Sequence, residues 1–159
     1  MDIMKKLTPK ILQVQTRTPK ILKVAELGHE VLRKKATAVP VEEIVSPDFQ
    51  DFLEDMIATL KDSTGVGLAA PQVYESKRVV IMHSFATPRN PKAPEFGPVA
   101  LINPRILSKS VKKVGGWEGC LSFPGIRGFV SRHHSVEVEY TDRTGKKFKK
   151  KFKDFLARI

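Results

Sequence analysis

Apolar positions 49, 52, 53, 56, 57 and 60 recur at the i, i+3, i+4, i+7, i+8 spacing, which gathers Phe49, Phe52, Leu53, Met56, Ile57 and Leu60 onto one helical face. Ser46 is placed to cap this helix, with Pro47 its first residue, Asp48 an acid on the first-turn dipole and Gly65 just past its end. Such a stripe is a core face, because burying one side is what stabilises an amphipathic helix in a fold. After Gln72 the period changes. Residues 78–83 (RVVIMH) form a short apolar run bounded by polar residues, and residues 99–104 (VALINP) form another, both suited to buried strands. Val136, Val138 and Tyr140 alternate with Glu137 and Glu139, residues 142–145 (DRTG) turn the chain, and residues 147–153 return with Phe148 and Phe152 inward. That is a hairpin with one wet face. Its lysine-rich return strand is the densest basic patch, and it reads first as a solvated edge whose charges deter strand addition.

Between the two apolar runs, Pro88, Pro91, Pro94, Gly97 and Pro98 predict a surface loop. Upstream, residues 30–36 (EVLRKKA) form a short basic helix or turn that stops before Pro40. Residues 8–12 (TPKIL) recur at 18–22, too short and too few for a repeat architecture. Residues 1–19 are therefore expected to be an N-terminal extension, and residues 20–159 one domain. At the other end Asp154 is placed to cap a helix whose apolar face begins with Phe155, Leu156 and Ile159. Isolated helices below about 12 residues are marginal. This reads as the first turn of an element whose remainder the sequence does not contain.

A chain of 159 residues with 41% apolar and 28% charged residues sustains one core. No apolar run approaches the roughly 18 residues of a membrane span, and the opening residues lack a secretory apolar run. A soluble, intracellular protein with no membrane association is expected. The formal charge of +11 favours contact with polyanions, including nucleic acid, a ribosome surface and anionic lipid. With one cysteine no internal disulfide forms.

That cysteine stands in residues 116–125 (GWEGCLSFPG), where glycines and a Pro-Gly pair predict an irregular turn against a neighbouring strand. Glu118 two residues before it and Ser122 two residues after argue against a purely apolar plug. In residues 65–72 (GVGLAAPQ) the small residues allow close backbone approach, and no lysine follows the glycines to make a phosphate loop. Gln72 offers an amide donor. Beside the Leu121 N–H it would stabilise an oxyanion formed when a carbonyl is attacked. The attacker is either Cys120 itself or water on a metal that Cys120 holds. The candidate further ligands are His29, His83, His133 and His134. As neighbours on a strand, His133 and His134 point to opposite faces, so at most one of them reaches Cys120.

The segment 65–72 resembles the first signature of the peptide deformylases, G-x-G-L-A-A-x-Q, and residues 118–122 (EGCLS) resemble the second, E-G-C-L-S. The likeness runs from about Ile21 to the end of the chain. It implies an α+β fold with strands wrapped around a central helix. It also implies removal of the N-formyl group from the initiator methionine of new proteins, with formyl-methionyl nascent peptides as substrate and the ribosome as partner. Sequence-specific nucleic-acid binding is not implied. The resemblance implies a bacterial cytoplasmic location ahead of an organellar one. The family holds one divalent metal, ferrous iron (Fe2+) with zinc, nickel or cobalt as substitutes. By resemblance Cys120 is the thiolate ligand, and Gln72 and the Leu121 amide hold the oxyanion. Gly67 pairs with the substrate backbone, Val66 lines the methionine pocket, and Arg127 lies at its rim. Glu118 acts behind the ligands with Arg132 as its partner.

The third family signature, H-E-x-x-H, supplies two histidine ligands and the acid/base glutamate, and it is absent: His29-Glu30 is followed by Val31-Leu32-Arg33. The expectation is a chain cut before its catalytic helix and inactive as written. The alternatives are a non-catalytic ribosome- or peptide-binding module on the same fold, and a metal-free thiol enzyme using Cys120 with His133 or His134.

Overall fold

The computed structural model describes residues 17–88 and 90–159. Helices and antiparallel strands segregate into an α+β fold, in the order α1 (Val41–Ile44), α2 (Pro47–Asp62), β1 (Gly67–Ala69), β2 (Val79–Ser84), β3 (Phe96–Lys109), β4 (Lys113–Cys120), β5 (Phe123–His133), β6 (Ser135–Thr141), β7 (Lys147–Lys153) and α3 (Asp154–Arg158). Single 3₁₀ turns lie at Glu30–Arg33 and Ala70–Val73. Five strands form one sheet in the order β1-β2-β3-β6-β7, and β4 and β5 form a separate two-stranded sheet.

Helix α2 begins as its sequence dictates. Ser46 Oγ accepts from Phe49 N–H and Pro47 opens the helix. Phe49, Leu53, Met56 and Leu60 are buried against one face of the sheet with Leu68, Val79, Ile81 and Ile102, and Phe52 and Ile57 flank them half-buried. The two buried polar residues of α2 serve a different purpose. Asp55 accepts from Arg17 Nη2 at 2.8 Å and Lys20 N–H at 2.6 Å, and Thr59 accepts from Leu22 N–H at 2.8 Å. Arg17, Lys20 and Leu22 are thereby moored along the helix, so Arg17 of the expected extension is already bound to the domain; residues 1–16 lie outside the described residues. On the opposite face of the sheet Met82, Leu101, Val138, Tyr140 and Phe152 form a second cluster, onto which Leu156, Ala157 and Ile159 pack.

Three expectations need correction. Strand β3 runs well beyond the predicted 99–104, with both prolines inside it. Pro98 and Pro104 sit where the register to β2 and β6 shifts, so neither denies a ladder partner its donor. Asn103, at φ 52 in the second shift, binds both the N–H and the C=O of Val39, each at 2.8 Å. Secondly, Cys120 lies in a strand and not in a turn: it is the last residue of β4, at a register shift between Gly119 and Cys120, and pairs with Phe123 across a two-residue turn. The glycines there make room instead of breaking the strand. A Cβ on Gly115 would meet the Phe129 ring, and one on Gly116 would lie 3.0–3.2 Å from the Arg158 guanidinium. Lastly, Asp154 does not cap α3. Lys153 occupies that place, and the Asp154 carboxylate faces His134 Nε2 at 3.0 Å.

Candidate active site

The two glycine-bearing segments meet. Strand β1 lies at the edge of the large sheet and runs into the 3₁₀ turn that carries Gln72, while β4 delivers Cys120 alongside. Gln72 Oε1 accepts from Ala69 N–H at 2.9 Å. A donor on that atom settles which end of the amide is oxygen, so Nε2 must face the other way. It donates to Ser122 Oγ at 3.1 Å and to Cys120 Sγ at 3.4 Å. Ser122 is 2% exposed, and its hydroxyl is the buried anchor of this contact. A strap crosses behind the pair: Ala25 N–H donates to Gln72 O and Leu27 N–H to Ser122 O, each at 2.7 Å. The Leu121 N–H, in the turn after Cys120, takes no backbone acceptor among the described residues. Its side chain joins the α2 core, touching the space beside Gly65.

Gly67 lies on the open edge. His83 N–H donates to Val66 O at 2.9 Å, so Val66 and Leu68 turn their backbone groups toward β2. By strand alternation Gly67 and Ala69 turn theirs outward, which is why Ala69 N–H is available to Gln72. The Gly67 N–H and C=O therefore face no strand. Its Cα hydrogen side is covered by Ile159, whose Cγ2 would be 3.1 Å from a Cβ there.

Glu118 is the electrostatic anchor of the hairpin. Its carboxylate takes Arg132 Nε at 3.0 Å and Nη2 at 2.8 Å, the partner that the family resemblance implied, and also Arg158 Nη1 at 2.8 Å. The Arg132 hydrogen bonds, reinforced by Arg158, hold the carboxyl below its ordinary range against the opposing effect of burial. Arg158 had no sequence signal of its own. It reaches from α3 across Gly116 to the carbonyls of Val130 and Val114, and the only hint of it is that strand glycine. Arg127 stays on the exposed side of β5, with Nη2 3.3 Å from Trp117 O.

A cavity of about 310 Å³ opens beside Cys120, Gln72 and Ser122, walled by Leu27, Leu32 and Phe123, with His29 and Arg33 also lining it. A second, of about 210 Å³, holds His133, His134, Asp154 and Arg158. His133 pairs with Lys113 at the far end of β4 from Cys120, and His134, held by Asp154, shares that second cavity, so neither serves Cys120 as a base. This removes the pairing on which the thiol-enzyme alternative rested. Among the described residues no three His, Cys, Asp or Glu side chains converge as a metal site. The residues present supply one ligand, the Cys120 sulfur, and do not by themselves fit a metal ion.

Residues 21–159 match the family model described as Polypeptide deformylase. The chain is 50% identical over 141 residues to Peptide deformylase 2 of Nostoc sp., covering 89% of this chain and 78% of that relative. It is 46% identical over 125 residues to the peptide deformylase of Desulfitobacterium hafniense, covering 79% and 74%. Among solved structures, the Met-Ala-Ser-bound class I type b peptide deformylase of Acinetobacter baumannii superposes with a TM-score of 0.87 at 42% identity over 89% of each chain. The Thermotoga maritima enzyme does so with a TM-score of 0.76 at 33% identity, covering 87% and 86%.

Proposed function

The chain belongs to the peptide deformylase family, and on that premise we propose that it is built to receive the formylated methionine at the start of a new protein, with its formyl oxygen directed at Gln72. The observation that carries this reading is the fixed amide. With Oε1 pinned to Ala69 N–H, a hydrogen-bond donor is presented beside the Cys120 sulfur at no further ordering cost. A formyl oxygen entering there replaces the weak contact to sulfur or shares the donor with Ser122, and Leu121 N–H is a second donor next to the thiol. The outward N–H and C=O of Gly67 would hold the substrate backbone as an added strand, the economical way to bind peptides of any sequence. Val66 would line the methionine pocket, with Arg127 at its rim, and the Glu118–Arg132–Arg158 cluster would fix the hairpin that carries Cys120.

Deformylases are metal-dependent as a family; Cys120 would be this chain's ligand to one divalent ion, ferrous iron or its zinc, nickel or cobalt substitutes. Among the described residues no two further ligands converge with that sulfur. On this reading the described residues hold and orient the substrate without themselves completing the hydrolytic step. Ribosome contact and a cytoplasmic location accompany this role. Among the described residues no helix is long and apolar enough to cross a membrane.

The test is nuclear magnetic resonance of the 15N-labelled chain titrated with formyl-Met-Ala-Ser, alongside a turnover assay with ferrous iron added. Saturable shifts at the Gly67 and Leu121 amides and the Gln72 side-chain amide, with no formate released, are expected. Shifts absent from all three positions would refute the assignment. Formate release would show that the chain cleaves without the third signature.

A further inference from the structure

From the outer face of β7 we infer that the edge of the sheet opposite the site docks onto the phosphodiester backbone of RNA. This reading goes beyond the hydrolase assignment and uses none of the site residues. Register with β6 fixes which lysines share a face. Lys147, Lys149, Lys151 and Lys153 stand opposite Thr141, Glu139, Glu137 and Ser135, while Phe148, Lys150 and Phe152 stand opposite Tyr140, Val138 and Val136 on the core side. The odd-numbered lysines thus form one file. At about 3.3 Å per residue it is roughly 20 Å long.

Three observations separate this file from an ordinary solvated edge. The core-side lysine is occupied: Lys150 Nζ lies 4.5 Å from the centre of the Phe96 ring. The four outward lysines make no ion pair among the described residues, although Glu137 and Glu139 are their direct cross-strand neighbours. Those carboxylates are engaged on their other side, Glu139 by Arg105 at 3.0 Å and Glu137 by Ser108 Oγ at 3.4 Å. Arg105 thus offsets the Glu139 carboxylate, which leaves the face a net positive charge. Finally, α2 covers this face of the sheet only as far as the β6–β7 turn, where Gln50 and Glu54 hold Arg143. From Lys149 onward the face is open.

The chemistry favours a polyphosphate strand over an anionic lipid surface. The file carries no apolar side chain that would enter a bilayer, since Phe148 and Phe152 are turned into the core. Its four ammonium groups outnumber the two β6 carboxylates, Glu137 and Glu139, that share the face, and they read charge and not base sequence. The geometry also suits the proposed role. β7 and β1 are the two edges of one five-stranded sheet, about 19 Å apart at 4.8 Å per strand. RNA held on β7 leaves the Gly67 edge and Cys120 free to meet a peptide.

The experiment measures binding of the full chain to a fluorescein-labelled 24-nucleotide single-stranded RNA of mixed sequence between 50 and 300 mM salt. It compares wild type with the combined variant Lys147→Gln, Lys149→Gln, Lys151→Gln and Lys153→Gln. A control carries Lys20→Gln, Lys23→Gln, Lys34→Gln and Lys61→Gln, with the same change in charge. Each lost phosphate contact removes about 0.7 from the slope of log affinity against log salt, so four remove about 3 and weaken binding on the order of 10²–10³-fold at 0.1 M salt. The control should bind within about threefold of wild type. Equal losses in both variants would reduce the effect to net charge and overturn the proposal. So would wild-type affinity in the β7 variant, or binding to vesicles of 30% phosphatidylglycerol that exceeds RNA binding and falls with the same substitutions. Thermal melting of each variant checks that it is folded, and single Lys149→Gln and Lys151→Gln changes, each expected to lower the slope by about 0.7, carry the test if the combined variant is not. Formyl-Met-Ala-Ser binding should be unchanged throughout, so the outcome is separable from that of the hydrolase reading.

Discussion

The contact between Gln72 and Ser122 joins the two motif segments, and its strength is open to measurement. Replacing Ser122 by Ala removes one neutral hydrogen bond at a fully buried site and leaves almost no void, which should cost about 1 kcal/mol. Replacing Gln72 by Met keeps the volume but removes the acceptor of Ala69 N–H and the donor to Ser122 Oγ. Two bonds at about 1 kcal/mol each, plus the desolvation of an orphaned N–H, set the cost at about 2–4 kcal/mol. For a domain of this size that is a fall of roughly 4–16 °C in melting temperature. Because the shared bond is lost in both single variants, the double variant should be less destabilised than their sum by about 0.5–1.5 kcal/mol. Urea denaturation of the four proteins, with equal slopes, closes the cycle. Additivity within about 0.3 kcal/mol would mean that the side chains do not hold each other, and the argument for a preset oxyanion donor would fail.

Gly116→Ala should cost more than Gly115→Ala, because the first displaces a guanidinium bonded to Glu118, Val114 and Val130 while the second moves an exposed phenylalanine ring; we expect about 1–3 kcal/mol against less than 1 in chemical denaturation. The Glu118 carboxyl is held low by Arg132 and then Arg158, so its contribution to stability is complete above the unfolded carboxyl range near 4.3 and declines as pH falls through the lower folded value. The stability gap between wild type and Glu118→Gln should accordingly be flat from pH 5 to 8 and shrink below about pH 4 in denaturation curves; a gap that widens on acidification would reverse the assignment. Asn103→Leu removes both bonds to Val39 and puts a branched side chain at φ 52, and should destabilise by about 2–4 kcal/mol in the same assay.

What the sequence made legible follows from where local physics agreed with the fold. Helix α2 announced itself through its stripe, its serine cap and its proline, since all three act within a few residues of one another. The β6–β7 hairpin showed in its alternation. Gln72 and Cys120 came together because each is fixed by small residues that admit a second backbone. The β4–β5 sheet was illegible for the same reason: its glycines give space to Phe129 and Arg158, partners distant in the chain, and so mimic a loop when read locally. Likewise Pro98 and Pro104 looked like strand ends because a register shift on a neighbouring strand leaves no trace in their own segment. Asp55 and Thr59 are the moorings of residues 17–22, and their partners lie too far away in the chain for a local pattern to mark them.

That mooring makes the leading segment a hasp across the chamber. A protease that nicked the chain between Leu22 and Gly28 would leave every strand and both apolar clusters intact, yet it would unfasten the backbones of Gln72 and Ser122 together. A label or fusion joined near Arg17 would therefore report on the thiol far sooner than one attached to the β6–β7 turn.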